Sequence, residues 1–237
     1  MELNDKSHLV LLPGTLCNEK LWNHQLENLS DIADITVGDL SKDYTIEGMA
    51  KSVLNDAPDT FALAGLSLGG MVAIEIMRQA PERISRLALL DTNPNLPKAE
   101  QIKMWKHFIE MSKNGEFKAV TENYLLQGLL RPGNKDEKLI SLITSMADDI
   151  GPVAMERQMM ALTNRPDTLK VLPSINCPTT VIVGEEDTTC PVYMSEEIAS
   201  MIPHANLIII EDAGHLSSLE RPEEVTSELR EWFQKDK

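Results

Sequence analysis

Hydrophobic positions along the chain fall into two alternating textures. Short, nearly unbroken apolar or β-branched runs recur, each closed by turn residues: "HLVLLPG" from His8, "DITVGDL" from Asp34, "TFALAGLS" from Thr60, "RLALLDTN" from Arg86, "TTVIVGEED" from Thr179 and "NLIIIEDAGH" from Asn206. Most are apolar on successive rather than alternate positions, which suits strands buried on both faces of a parallel sheet. Between them lie segments of helical period, among them "EKLWNHQLENL", "TIEGMAKSVLNDA", "GMVAIEIMRQA", "VYMSEEIASMI" and "PEEVTSELREWFQK". In the last, Val225, Leu229, Trp232 and Phe233 share a face at spacings of 4, 3 and 1,. Strands alternating with helices predict βαβ units with right-handed crossovers. The expected architecture is α/β: a doubly wound, mostly parallel sheet of about six strands with helices on both faces. His8 is placed just before the first strand, His24 on a helix, and His204 in a helix-to-strand connection.

The alternation stops between about Pro97 and Pro173. Four stretches of helical texture occupy that region, "KAEQIKMWKHFIEMSK", "EFKAVTENYLLQGLL", "DEKLISLITSMADDI" and "GPVAMERQMMALTN", separated by turn signals at "KNGE", "RPGNKD" and "DIGP",. The pattern predicts a helical insertion over 97–170 in a core made of 1–96 and 171–237. Six of the 12 methionines lie in it: Met104, Met111, Met146, Met155, Met159 and Met160. Methionine adapts its shape to an apolar pocket, but plain helix packing against the core is the favoured account for any one of them, as for Trp105, Phe108 and Tyr124. Arg157 and Arg165 could pair with a substrate carboxylate, but arginines in such helices more often tie them to neighbouring acids, and that reading is favoured.

Composition narrows the class. A chain of 237 residues with 42% hydrophobic content suits one globular domain with a sizeable core,. A net charge of -15, with no basic cluster, excludes a nucleic-acid partner,. The opening "MELNDKSHLVLLPG" carries early acids and a short apolar run, so no secretory signal is expected,. No apolar run is long enough to span a bilayer. Cys17, Cys177 and Cys190 have neither zinc spacing nor a disulfide framework, which fits a reducing cytoplasm,.

The candidate chemistry begins at "ALAGLSLGGM", residues 62–71. Ser67 ends an apolar strand and opens a helix, with glycine two places before and after it. A tight strand-to-helix turn lifts such a serine above the carboxyl edge of the sheet and sets the first helical N–H groups beside it. A hydroxyl is a weak nucleophile without a base. Of the five histidines, His215 alone follows a strand directly in a small-residue loop, "DAGHLSS". That loop belongs to the same sheet edge. The imidazole needs a carboxylate to hold its tautomer, and "GEEDTTCP" on the same edge offers Asp187, with Glu185 and Glu186 as alternatives. Asp187 is favoured because it lies furthest from the strand, where the turn can aim it inward. An oxyanion hole would take one N–H from Leu68 and a second from the first loop, "LLPGTLCN", where Thr15 is the better donor and Leu16 the alternative,. Cys17 and Cys190 flank this edge as small packing residues.

These motifs resemble the α/β-hydrolase family. "AGLSLGG" resembles its nucleophile elbow, "VGEEDTTCP" its acid loop and "DAGHLSSLERPEEV" its histidine loop with the final helix, in the family's order of Ser, Asp and His,. The resemblance spans nearly the whole chain, the middle stretch being similar to the family's helical cap. Within the family the chain resembles small bacterial carboxylesterases, pimeloyl methyl esterases and 3-oxoadipate enol-lactonases. The resemblance implies a serine hydrolase that cleaves a small carboxylic ester or thioester through an acyl-enzyme, with no metal and no cofactor. A lactonase, a C–C bond hydrolase or a cofactor-free perhydrolase would use the same triad, and a non-catalytic ligand receptor is a third class. Two departures stand out. Pro13-Gly14 replaces the His-Gly common in the first loop, and the two amino-terminal strands common in the family are not expected here, which would leave about six. Small esters or lactones are the expected partners, without nucleic acid or membrane, and the sequence does not set the oligomeric state.

Overall fold

The computed structural model describes residues 6–235. Six strands form one sheet: β1 (Ser7–Leu12), β2 (Ala33–Val37), β3 (Phe61–Leu66), β4 (Ile84–Leu90), β5 (Thr179–Gly184) and β6 (Asn206–Ile210), in the order β2-β1-β3-β4-β5-β6. All five neighbouring pairs are parallel. The chain steps from β1 outward to β2, returns past β1 to β3, and then runs to the opposite edge. The direction of winding therefore reverses between β1 and β3. In open parallel sheets the crevice beyond the carboxyl ends at such a switch point is where ligands bind.

Side chains of successive strand residues divide cleanly between the two faces. Val10, Leu12, Leu63, Leu87, Leu89 and Val181 join one buried cluster, together with α2 (Ile46–Asp56), α3 (Leu68–Gln79) and α7 (Val192–Met201). Leu9, Leu11, Ala62, Ala64, Ala88, Leu90 and Ile182 join the other, with α1 (Asn23–Leu29) and residues that belong to the carboxyl-terminal helix of the described chain. Burying each large apolar side chain contributes roughly 1.5–3 kcal/mol, so both faces of the central strands supply stability. β3 and β5 are buried at every position. The continuous-run reading fails at the edges: in β2 Ala33 alone is buried, with Ile35 and Val37 half-buried and Asp34 and Thr36 exposed, and Ile209 of β6 is 44% exposed. An edge strand has a neighbour on one side only, so its flanking helices cover it incompletely. His8 lies inside β1 rather than before it, because pairing with β2 begins at Ser7.

Between β4 and β5 the chain is helical: α4 (Ala99–Lys113), α5 (Phe117–Val120), whose course continues as a π-helical turn over Thr121–Leu125 and a 3-10 turn over Leu126–Gly128, and α6 (Glu137–Thr163). α6 is two helices end to end. Gly151 takes φ 78° and Pro152 follows it, which breaks the i to i−4 ladder at the "DIGP" signal,. This helical segment is bonded to the loops at the carboxyl edge of the sheet. Lys20 meets Asp149 at 2.7 Å and Gln158 Oε1 accepts from the Leu16 N–H at 2.9 Å. The Leu129 carbonyl accepts from the Leu216 N–H at 3.0 Å, and the Gly128 carbonyl from the Thr189 hydroxyl at 2.6 Å. Beyond β6, α8 (Ser217–Glu220) leads into α9 (Pro222–Gln234), which buries Val225, Leu229 and Trp232 while Phe233 is half-buried at its border.

Candidate active site

Ser67 sits between β3 and α3 with φ 55° and ψ −113°. A non-glycine residue held there costs on the order of 1–3 kcal/mol. The surroundings over-determine the turn: Ser67 N–H donates to the Leu90 carbonyl at 2.9 Å, and its own carbonyl accepts from Thr92 Oγ1 at 2.7 Å. The flanking glycines are needed for close approach. A Cβ on Gly65 would stand 2.3 Å from the Gly69 carbonyl oxygen, and one on Gly69 would stand 2.2 Å from that of Leu12. Both distances lie well inside van der Waals contact, so α3 can start against β3 and β1 only where side chains are missing.

His215 lies in the loop after β6, 2% exposed. Its Nε2 is 2.9 Å from Ser67 Oγ and its Nδ1 is 2.8 Å from Asp187 Oδ2. The second carboxylate oxygen of Asp187 accepts the N–H groups of Thr189 and Cys190, each at 2.8 Å. A carboxylate can only accept, so the Nδ1 proton faces Asp187 and the Nε2 lone pair faces the Ser67 hydroxyl. Glu185 is exposed and Glu186 lies 3.7 Å from Arg131, so the imidazole meets Asp187 rather than either neighbour. Burial works against the imidazolium, but the charge and hydrogen bond of Asp187, helped by Asp91, outweigh it and raise the His215 pKa above the ordinary value,.

The first loop folds directly beside the serine. A Cβ on Gly14 would stand 3.5 Å from that of Ser67. Thr15, Ser67 and His215 line one cavity of about 610 Å³. The N–H groups of Thr15 and Leu68 have no acceptor among the described residues, whereas the Leu16 N–H is taken by Gln158. Met71, Met104, Trp105, Phe108 and Met159 make much of the cavity wall apolar. Met146 and Met155 are fully buried in packing instead, and Met160 is exposed. Arg165 lines the cavity; Arg157 bonds the Ser41 carbonyl and stacks over Tyr44 outside it.

Three residues near the site escape a reading of motifs. Asp91, at the end of β4, is fully buried and accepts from the Gly184 N–H at 2.9 Å and the Ser217 hydroxyl at 2.5 Å. Burial first, then the neighbouring Asp187, pushes its pKa up to about 7 against the opposing pull of His215 and its two donors. Its signal is an acid immediately after an apolar strand, at the edge that also delivers Ser67. Asn93 follows two places later, buried and lining the cavity. Gln158 is 1% exposed on the buried face of α6 between Met155 and Leu162. A lone amide on an otherwise apolar helix face is its mark. Cys17 and Cys190 are buried thiols: burial pushes Cys17 up to about 12 and Cys190 well above the ordinary range, so neither is a thiolate at neutral pH,. No helix among the described residues is long and apolar enough to cross a membrane.

Comparison with known proteins agrees with this architecture. A profile described as "Alpha/beta hydrolase family" matches residues 9–228. The chain is 27% identical over 246 residues to a pimeloyl-(acyl-carrier protein) methyl ester esterase of Aliivibrio salmonicida, covering 96% of this chain and 92% of that one. A thermophilic esterase from Thermogutta terrifontis, solved with malate bound, superposes with a TM-score of 0.88 at 26% identity, covering 97% of this chain and 91% of that one. The enol-lactonase of Burkholderia xenovorans LB400 shares the fold, with a TM-score of 0.88 at 20% identity over 99% of this chain and 94% of that one. With its sheet order, its strained serine turn and a family match over most of its length, the chain belongs to the alpha/beta hydrolase family.

Proposed function

We propose that this protein is a serine esterase that cleaves a small carboxylic ester or thioester through an acyl-enzyme. The observation that carries the reading is the unbroken relay Ser67 Oγ, His215 Nε2, His215 Nδ1, Asp187 Oδ2, with steps of 2.9 and 2.8 Å, opening on a largely apolar cavity. His215 takes the hydroxyl proton as Ser67 Oγ attacks the ester carbonyl. Asp187 holds the tautomer and stabilises the imidazolium that forms. The N–H groups of Leu68 and Thr15 receive the oxyanion, each worth roughly a hundred- to a thousand-fold in rate. Thr15 takes this role rather than Leu16, whose N–H is already bonded. Collapse of the tetrahedral adduct breaks the ester C–O bond, and the alcohol leaves with the proton from His215. Water, deprotonated by the same imidazole, then releases the acid and restores Ser67.

The helices between β4 and β5 act in this reading as a cap over 97–170 whose lining selects the substrate, on a core of 1–96 and 171–237. The three unpaired cysteines suit a reducing cytoplasm. Hydrolysis of short p-nitrophenyl esters by wild type and Ser67→Ala tests the reading: activity is expected to vanish with the hydroxyl, along with covalent labelling by a fluorophosphonate. Equal rates in both proteins would end it. A parallel panel of lactones separates ester from lactone preference at the same serine.

A further inference from the structure

We propose that the substrate carries a free carboxylate, held by Arg165 together with the side-chain amide of Asn93, while Ser67 attacks the ester at the other end. This rests on the esterase reading and narrows it to esters of acids with a second, ionised carboxyl group.

Arg165 follows α6, is 7% exposed and lines the same cavity as Ser67 and His215. Among the described residues its guanidinium donates to main-chain carbonyls alone: Nε and Nη2 to Asn95 at 2.9 and 2.5 Å, and Nη1 to Leu162 at 3.3 Å. No carboxylate among the described residues lies within ion-pair distance of it. A guanidinium has five N–H groups. The carbonyls occupy three and fix its orientation, but they leave the charge uncompensated. Trp105, from α4, presents its ring face 5.7 Å from Arg165 Cζ and holds the plane from another side. Burial lowers its pKa to about 10, which still leaves it charged at neutral pH.

Asn93 supplies a second donor. Its Oδ1 accepts from the Asn95 N–H at 2.8 Å, which fixes the amide and leaves Nδ2, a donor, with no acceptor among the described residues. The acidic side chain that lines the cavity, Glu100, is exposed on α4, near exposed Lys103 and His107. Two fixed donors with no acid bonded to either among the described residues, one of them a full cation, describe half of a carboxylate site,. The feature is costly to keep in a buried wall unless a ligand completes it, and it stands out in a chain of net charge -15.

The competing role for Arg165 is a clasp that joins Asn95 and Leu162 at the two ends of the helical segment. Substrate discrimination separates the two. Wild type, Arg165→Met and Arg165→Lys are assayed by methanol release on monomethyl and dimethyl esters of succinic, glutaric, adipic and pimelic acids. Wild type is expected to favour the monomethyl ester in kcat/KM by about tenfold or more at one chain length. In Arg165→Met the ratio falls to about one, chiefly through KM of the monomethyl ester, and Arg165→Lys retains part of it. A wild-type ratio of one or less at every length, or a ratio that survives in Arg165→Met, overturns the proposal. In case Arg165→Met does not fold, competition on the wild type gives an independent answer. Adipate should inhibit p-nitrophenyl acetate hydrolysis at least about tenfold more strongly than adipamide, and equal inhibition refutes the site. Failure of the esterase reading looks different: no ester of either kind is turned over and Ser67 is not labelled.

Discussion

Replacing Gln158 by methionine should damage stability and catalysis through one side chain. The amide bridges two buried main-chain groups, accepting from the Leu16 N–H at 2.9 Å and donating to the Leu40 carbonyl at 3.2 Å. Methionine fills similar space but makes neither bond. Each orphaned buried group costs roughly 1–3 kcal/mol, so the loss is about 2–6 kcal/mol before relaxation. Urea unfolding should show it as a lower midpoint with an unchanged slope. The catalytic effect comes from Leu16, which stands at φ 56°, a left-handed conformation that needs restraint,. Released from Gln158, that turn should relax and carry the adjacent Thr15 N–H away from the place proposed for the oxyanion. One misplaced donor predicts a fall in kcat between tenfold and a thousandfold, with KM for p-nitrophenyl acetate changed less than about threefold. If the variant loses stability yet keeps kcat within twofold of wild type, Gln158 braces packing alone and the assignment of Thr15 fails with it.

The pH dependence of kcat/KM should show an acid limb that inflects above the ordinary histidine value of about 6.5, because His215 is raised by Asp187; Asp187→Asn should move the inflection down and cut activity, and a limb that does not respond would refute the coupling. Unfolded Asp91 ionises near 3.8 and the native group near 7, so the native state must hold a proton that the unfolded chain has lost. Its burial therefore subtracts from stability increasingly as pH rises from about 4 to 7, and fully above that. Asp91→Asn should accordingly gain melting temperature relative to wild type on going from pH 4 to pH 8, by a few degrees for each ~1 kcal/mol removed; a pH-independent difference would contradict this. Gly69→Ala forces a Cβ to within 2.2 Å of the Leu12 carbonyl oxygen, so α3 must shift off β1. The expected cost is about 1–3 kcal/mol together with loss of fluorophosphonate labelling, and normal labelling would show that the turn tolerates the displacement.

The legible parts of this molecule were those set by local pattern. Apolar runs located the six strands, and the strand ends located Ser67, Asp187 and His215, because a parallel sheet sends every such loop to one rim. The edges misled where burial depends on a missing neighbour, as at Ile209. Gln158 and Asp91 were harder to read because their roles depend on partners 142 and 126 residues away, Leu16 and Ser217. Arg165 was visible as a charge, but that its partners are carbonyls rather than acids is a property of the packed chain.

The helical segment between β4 and β5 touches each of three rim loops by a hydrogen bond of its own: Leu16 through Gln158, Thr189 through Gly128, and Leu216 through Leu129. It is therefore a poor candidate for exchange as a cassette. A transplanted segment from a relative would bring a new lining but would have to reproduce these three anchors, or the donor loops would lose their register. Changes of specificity in this scaffold are accordingly expected to accumulate by point substitution on the inner faces of α4 and α6, with the anchoring backbone at Gly128 and Leu129 and the Gln158 amide left in place.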